Sequence, residues 1–369
     1  MPVPAGKLPP RDGRSVPTRC SRRSGSTGRS FPVVSRRLLL WYNKTMLLDS
    51  FGRRVDYLRL SITDRCNLRC VYCMPPSGIS LKPSAEILSY DELIRTVQVA
   101  LSLGVGKVRI TGGEPLIRRG VVGFIRRISE LRGVADLCMT TNGIGLRDLA
   151  GALRGAGLSR VNVSLDTIRR DRYREITRRD HLPEVLAGID AALAAGLSPV
   201  KINVVLLHGL LPGEMEDFFA MAREAPVEVR FIERMPIGCL PSGGYVSAEA
   251  IRERILSLPG VRKRSAGGDS PSVSYEADGF AGRLGIISPI SRSFCIECNR
   301  LRVTADGRLR SCLFRRETLD LRKVLREGNG DEAVADLYRK AVTEKPEGHG
   351  YCVPGASPVL PESMSRVGG

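Results

Sequence analysis

The sequence predicts an α/β fold, an incomplete barrel of six strand–helix units or a doubly wound sheet, followed by a smaller module. Three observations carry this expectation. From residue 55 onward, short β-branched runs alternate with helix-like segments six times. The strands end, one after another, in polar or glycine-rich residues. After about residue 245 the alternation stops, and shorter strands and loops take over.

The strands are expected at 57–63 (YLRLSIT), 107–113 (KVRITGG), 136–143 (DLCMTTNG), 160–167 (RVNVSLDT), 200–207 (VKINVVLL) and 227–236 (VEVRFIERMP). Between them, 89–104, 120–133 and 182–196 read as helices; the last has apolar residues at helical spacing and a Gly stop. Strand–helix alternation argues a parallel sheet with right-handed crossovers. Six units fall short of the eight that close a barrel. The strand ends are a cysteine loop, Gly112-Gly113-Glu114-Pro115, Thr140-Thr141-Asn142-Gly143, Ser164-Leu165-Asp166 and Glu233-Arg234-Met235-Pro236. Such folds build active sites at the carboxyl ends of parallel strands, so five polar ends in a row mark a site.

This gives three regions: a basic extension at 1–45, the partial barrel at 46–245, and a C-terminal module at 246–369. The extension holds eight Arg and two Lys against one acid, Asp12, which is half of the net charge of +18. Rich in Pro, Gly, Ser and Arg without an apolar period, it is expected to be disordered. Its composition fits a mitochondrial-type transit peptide, and Met46, just before the first ordered-looking segment, fits an upstream start instead. The rest is basic without the dense stripe of a nucleic-acid binder; a pocket for an anionic small molecule explains the charge equally well. No run approaches the roughly 18 apolar residues of a membrane span, and no segment has the organisation of a secretory signal. The expected location is the cytoplasm, or the mitochondrial matrix if the extension is a transit peptide.

Ten cysteines in such a chain argue for metal or redox chemistry rather than a disulfide framework. Six form two triplets: Cys66, Cys70 and Cys73, spaced C-x3-C-x2-C, and Cys295, Cys298 and Cys312, spaced C-x2-C-x13-C. A structural zinc needs a fourth ligand at short range. His181, His208 and His349 form no ligand pair, and His181 is the nearest to the first triplet. An iron–sulfur cubane on three thiolates leaves one iron open to another ligand. Cys138, in an apolar strand, reads as a core residue; Cys239 and Cys352 read as incidental, and Cys20 lies in the extension.

The first triplet, in a loop after the first strand with Tyr72 before its last cysteine, resembles the signature of the radical S-adenosylmethionine enzymes. GGEP at 112–115 matches that superfamily's second element. Over 50–369 the flanks YLRLSITDRCNLRCVYCMP, VRITGGEPLIRR, TTNG, VNVSLD, RFIERMP and CNRLRVTADGRLRSCLF, and the terminal Gly368-Gly369, resemble the GTP 3′,8-cyclases of molybdenum-cofactor biosynthesis. The tail departs mildly, reading MSRVGG where an isoleucine is expected before the glycines.

The resemblance implies an incomplete TIM-like barrel of the radical S-adenosylmethionine type, with a C-terminal α+β module closing its mouth. It implies two [4Fe–4S] clusters and S-adenosylmethionine as cofactors, and conversion of GTP to (8S)-3′,8-cyclo-7,8-dihydroguanosine 5′-triphosphate. A 5′-deoxyadenosyl radical would take hydrogen from ribose C3′, which then bonds guanine C8. Cys66, Cys70 and Cys73 would hold the first cluster, and Cys295, Cys298 and Cys312 the second. Tyr72, Gly113, Ser164 and Met235 would line the S-adenosylmethionine site. Arg59, Arg109, Thr140, Lys201, Arg300, Leu301 and Arg302 would contact GTP, with Arg59, Arg300 and Arg302 nearest the chemistry. Gly368 and Gly369 would enter the pocket. The implied partners are a flavodoxin-like or ferredoxin-like electron donor and a cyclic pyranopterin monophosphate synthase that takes the product. A monomer or homodimer, with no membrane and no nucleic acid, is expected.

Independent of the resemblance, a triphosphate needs several cations, and Arg supplies forked donors to phosphate oxygens. Two other readings stay open here. One is a radical peptide-modifying enzyme with auxiliary clusters, although such proteins usually carry more C-terminal cysteines. The other is a zinc-ribbon nucleic-acid-binding protein, suggested by the basic pI of about 9.9 and the CxxC pairs.

Overall fold

The computed structural model describes residues 46–207, 212–237, 246–264, 270–350 and 363–367. The extension at 1–45, His208, Cys239, Cys352 and Gly368-Gly369 lie outside the described residues. The six expected strands are present as β1 (Tyr57–Ser61), β2 (Lys107–Thr111), β3 (Asp136–Thr141), β4 (Arg160–Ser164), β5 (Val200–Leu206) and β6 (Val227–Glu233). They lie side by side in chain order, each parallel to the next.

The C-terminal module does more than follow this sheet. It supplies β7 (Arg262–Lys263), β8 (Val273–Glu276), β9 (Arg283–Ile287), β10 (Arg300–Val303), β11 (Arg308–Arg310) and β12 (Leu319–Asp320). Strand β9 pairs parallel with β6, and β10 pairs parallel with β1 at the opposite edge. Among the described residues the sheet therefore runs β12-β11-β10-β1-β2-β3-β4-β5-β6-β9-β8-β7 without closing. The expected incomplete barrel is widened at both edges by later chain, and its antiparallel margins cap the parallel strands.

Helices fill the crossovers for local reasons. In α1 (Tyr90–Ser102), Ser89 Oγ accepts the Glu92 N–H while Glu92 accepts the Ser89 N–H, a reciprocal cap. In α2 (Val121–Ser129), Val121, Phe124, Ile125 and Ile128 recur at helical spacing and are buried. Then come α3 (Leu146–Gly155), α4 (Arg170–Thr177), α5 (Leu182–Ala194), with a proline in its first turn, and α6 (Pro212–Glu224). The module adds α7 (Glu249–Leu256), α8 (Leu321–Arg326), α9 (Asp331–Thr343) and the short α10 (Met364–Val367).

The strands divide their side chains between two faces, as the period of two requires. Leu58, Leu60, Val108, Ile110, Leu137, Met139, Val161, Val163, Ile202, Val204, Val229 and Phe231 are all buried in the apolar core. The alternate residues, including Arg59, Arg109, Asn162, Lys201 and Arg230, line a cavity of about 370 Å³. One sheet thus separates a dry side from a polar one.

Candidate active site

The first cysteine loop follows β1 and is held from several sides. The Gly113 N–H donates to Thr63 O and the Glu114 N–H to Arg65 O, both at 2.7 Å. This approach tolerates no side chain: a Cβ on Gly113 would stand 2.1 Å from Arg65 O. The Glu114 carboxylate accepts from the Asn142 N–H at 2.6 Å, the Thr141 hydroxyl at 2.7 Å and the Leu116 N–H at 2.9 Å. Burial pushes Glu114 up to about 7 against those three bonds, which favour the charged form. Asn142 Nδ2 then donates to Asn67 Oδ1 at 2.7 Å, inside the cysteine loop. GGEP and TTNG are thus two halves of one support.

A second support comes from α4. The Arg69 and Val71 N–H groups donate to the carbonyls of Thr177 and Ile176. Beyond the helix, Arg178 has φ +56°, alone among the described non-glycine residues in the left-handed region. Its Nη1 donates to Arg69 O at 2.9 Å and Met74 O at 3.0 Å, bracketing Cys70–Cys73. The Tyr72 hydroxyl donates to Asp166 Oδ2 at 2.7 Å, and the Val205 N–H donates to Asp166 Oδ1 at 2.8 Å. The SLD end of β4 therefore fixes the aromatic of the cysteine motif.

Cys66, Cys70 and Cys73 are in no disulfide and line the cavity. Burial pushes Cys66 up to about 11 and Cys70 well above the ordinary thiol range. Cys295, Cys298 and Cys312 are likewise in no disulfide and line the same cavity. Burial would raise Cys298 too, but Lys345 and Arg300 outweigh it and hold Cys298 below its usual value. Among the described residues, no three His, Cys, Asp or Glu side chains converge on a single-ion site. Two sets of three thiols line one cavity, and cysteine thiolates are the donors that iron–sulfur clusters take.

Sheet register sets out the rest. Arg302 pairs with Arg59, and Arg59 with Arg109, on three adjacent parallel strands. Neighbouring strands lie about 4.8 Å apart, and like charges directly opposite repel. Arg302 and Arg109 are buried at 8% and 6% exposure, so water screens them little. Burial and the guanidiniums of Arg109 and Arg300 push Arg59 down to about 10, and burial with Arg59 and Arg300 lowers Arg302. Arg109 goes the other way, because Tyr57 and Cys138 outweigh its desolvation. Its Nε donates to the Tyr57 hydroxyl and its Nη1 to Thr140 Oγ1 at 3.3 Å. Two register positions further, Lys201 meets Glu228 at 3.2 Å, and Arg230 Nε donates to the same carboxylate at 2.7 Å. Burial pushes Lys201 down to about 8, while Arg230 and Lys201 hold Glu228 at about 2 despite its burial. Of these groups Glu228 is shared by two cations, so the row retains a cationic surplus suited to a polyanion.

Tyr72, Gly113, Ser164 and Met235 line the cavity, as do Arg59, Arg109, Thr140, Lys201, Arg300 and Arg302. Leu301 does not: it sits between two inward arginines on β10, and its side chain is wholly buried in the core. Strand alternation forces this, leaving only its backbone near the site. Gly368 and Gly369 lie outside the described residues, but Ser363 Oγ comes within 3.5 Å of Cys73 Sγ and Met364 lines the cavity. The sequence reading missed Tyr57, whose ring has Lys107 at 4.8 Å, Arg109 at 5.7 Å and Arg300 at 5.9 Å. It also missed Asn162 and Asn203, whose cavity-side Oδ1 atoms are buried without a hydrogen-bond partner, as is Arg300 Nε. Such orphans in a polar cavity are those of a site shaped for a ligand. Their signal in the sequence is the inward period of two through RVNVS and VKINV.

Comparison with known proteins agrees with this geometry. Residues 60–222 match the radical SAM superfamily, and residues 227–351 match the family described as Molybdenum Cofactor Synthesis C. A GTP 3′,8-cyclase of Heliobacterium modesticaldum is 44% identical over 88% of this chain and 100% of its own. The Moorella thermoacetica GTP 3′,8-cyclase is 45% identical over 87% of this chain and 99% of its own. Among solved structures, Streptococcus suis SuiB bound to precursor peptide SuiA superposes with a TM-score of 0.55 at 12% identity, covering 85% of this chain and 69% of that one. Native anSMEcpe with bound AdoMet gives 0.52 at 16%, covering 80% and 82%. These two share the fold. With near-complete coverage of its curated relatives at this identity, the chain belongs to the GTP 3′,8-cyclase family of the radical SAM superfamily.

Proposed function

We infer that this chain joins C3′ of the ribose of GTP to C8 of its guanine, giving (8S)-3′,8-cyclo-7,8-dihydroguanosine 5′-triphosphate, the first step of molybdenum-cofactor biosynthesis. The observation that carries this reading is that both cysteine triplets and a buried row of guanidiniums line one cavity. A polyphosphate relieves the repulsion that the row otherwise holds, and forked donors suit its oxygens.

Cys66, Cys70 and Cys73 would hold a [4Fe–4S] cluster, which together with S-adenosylmethionine would supply the radical chemistry needed to remove hydrogen from C3′. Tyr72, Gly113, Ser164 and Met235 hold that cofactor, and Asp166 keeps Tyr72 in place. Arg59, Arg109, Lys201, Arg300 and Arg302 hold the triphosphate, with Thr140 on Arg109 and Leu301 contributing backbone alone. Cys295, Cys298 and Cys312 would hold a second [4Fe–4S] cluster, which would contribute to binding the guanine end of the substrate. Gly368 and Gly369 are assigned a role in substrate turnover by the family resemblance. A flavodoxin-like or ferredoxin-like protein supplies electrons, and a cyclic pyranopterin monophosphate synthase takes the product. The thiols call for a reducing compartment such as the cytoplasm.

Anaerobic reconstitution tests the reading. The expected protein is brown and holds about eight irons per chain. Given S-adenosylmethionine, reductant and GTP, it yields a product of GTP mass that carries the new carbon–carbon bond. Cys298→Ala is expected to keep the first cluster and lose cyclisation. A protein that takes zinc and no iron would overturn the assignment.

A further inference from the structure

Behind the second triplet lies a buried lysine that neither the motif nor the substrate site accounts for. Lys345 follows α9 and is only 3% exposed. Its Nζ donates to Arg300 O and to Ser311 O, both at 2.8 Å. Arg300 stands two residues after Cys298, and Ser311 immediately precedes Cys312. The charge of the same ammonium also favours the Cys298 thiolate. An ammonium has three donors, and two of them are directed here at backbone carbonyls flanking the triplet. Burying a lysine is costly unless its charge is matched, so its place asks for a counter-charge. Three thiolates on a cluster supply one.

The neighbouring cation repeats the device. Arg53 Nη1 donates to Cys295 O at 2.6 Å, and its Nη2 donates to Pro346 O at 2.6 Å, next to Lys345. Arg53 is anchored in turn by Asp49 at 2.5 Å. Each cysteine of the second triplet is thus reached, directly or through the adjacent carbonyl, by a cation from outside its own loop. The first triplet also has a cation on its neighbouring carbonyls, Arg178 on Arg69 O and Met74 O, but there the carboxylates of Glu114 and Asp166 act on Cys66 and Cys70 as well.

We propose that Lys345 is a positioning residue of the second triplet. It pins the strands that carry Cys298 and Cys312, and its charge favours the reduced, more negative state of the cluster held there. The proposal rests on the two-cluster reading above. Hydrogen bonds and charges near the sulfurs are known means of setting cluster potentials, and outer partners of metal ligands govern retention.

The test uses the full chain, reconstituted anaerobically, as wild type, K345M, K345Q and K345R. Iron and sulfide are counted, iron loss to a chelator is timed, and each cluster is titrated by electron paramagnetic resonance. In K345M, release of the second cluster is expected to speed at least tenfold. At a fixed potential its reduced-to-oxidised ratio is expected to fall about tenfold, equivalent to 59 mV for one electron. The first cluster is expected to keep both its release rate and its midpoint. K345Q keeps N–H donors without the charge, so it is expected to show the potential shift with a smaller change in release. K345R is expected to restore the midpoint. If K345M does not fold, K345Q and K345R decide the matter by the same titration. A wild-type protein with only four irons refutes the two-cluster reading itself. Eight irons in wild type and K345M, with the second midpoint and release rate unchanged, overturns the role of Lys345 alone.

Discussion

Replacing Gly113 with alanine should dismantle the first cysteine loop through one methyl group. The ideal Cβ would stand 2.1 Å from Arg65 O, 2.5 Å from Arg65 C and 3.0 Å from Asp64 O, all of them backbone atoms. Non-bonded heavy atoms rest at about 3.5 Å, so the loop must retreat by more than ~1 Å. No side-chain rotation can absorb that. Retreat strains or breaks the hydrogen bonds from the Gly113 N–H to Thr63 O and from the Glu114 N–H to Arg65 O, both 2.7 Å. At about 1 kcal/mol net for each bond, and about 1–3 kcal/mol for overpacking, the expected loss is about 3–5 kcal/mol. Arg65 directly precedes Cys66, so the same retreat moves a thiol. Urea denaturation of the apo-protein reads the stability, and iron counted after reconstitution reads the thiols. The second triplet should still load. Gly123→Ala is the control: the residue is exposed in α2 with nothing within 4 Å of its ideal Cβ, and a gain of about 0.5–1 kcal/mol is expected. A Gly113→Ala protein with full iron, unfolding within about 0.5 kcal/mol of wild type, would refute the close-approach argument.

Glu228→Gln leaves Lys201 and Arg230 facing one another without their shared carboxylate, and a loss of about 3–5 kcal/mol is expected in urea. Added inorganic triphosphate should recover part of the lost thermal midpoint, less so at high salt. The pH dependence has a defined sign: Glu228 is held near 2 in the folded chain against 4.5 unfolded. Its contribution is present above pH 4.5 and lost as pH falls toward 2, by up to about 3 kcal/mol; acid titration of Glu228→Gln should show a shallower limb there. Arg178→Gly removes a strained φ of +56° but also both donations to the loop carbonyls. A net loss of about 1–2 kcal/mol is expected, with faster chelation of first-triplet iron, and unchanged chelation would count against the clamp. Tyr72→Phe removes the hydroxyl donor from Asp166 Oδ2 and leaves the Val205 N–H on Oδ1; a loss of about 1–2 kcal/mol should appear in denaturation.

Much of this molecule was legible in its residues. The six strands stand where β-branched runs place them, within a few residues at their carboxyl ends. Those ends carry the glycines and acids that turn the chain, and turns are local chemistry. Helix α1 follows from Ser89 and Glu92 for the same reason. Both cysteine triplets were visible as spacing. What adjoins them was less so. Leu301 and its flanking arginines look alike as a run of letters, yet alternation sends Leu301 into the core and Arg300 and Arg302 into the cavity. Tyr57, Asn162 and Asn203 carry no motif, and only the inward period marks them.

The sequence by itself determined the first six strands, their parallel sense and the thiol sets, because each depends on residues near one another in the chain. The tertiary structure alone decided that β9 and β10 extend the sheet at opposite edges. It also decided that Arg302, Arg59 and Arg109 fall into one register row, and that Lys345 meets the carbonyls beside Cys298 and Cys312. These contacts join residues tens to hundreds of positions apart, where no local propensity acts. Sheet register and burial bring them together, and from them the cavity acquires its charge.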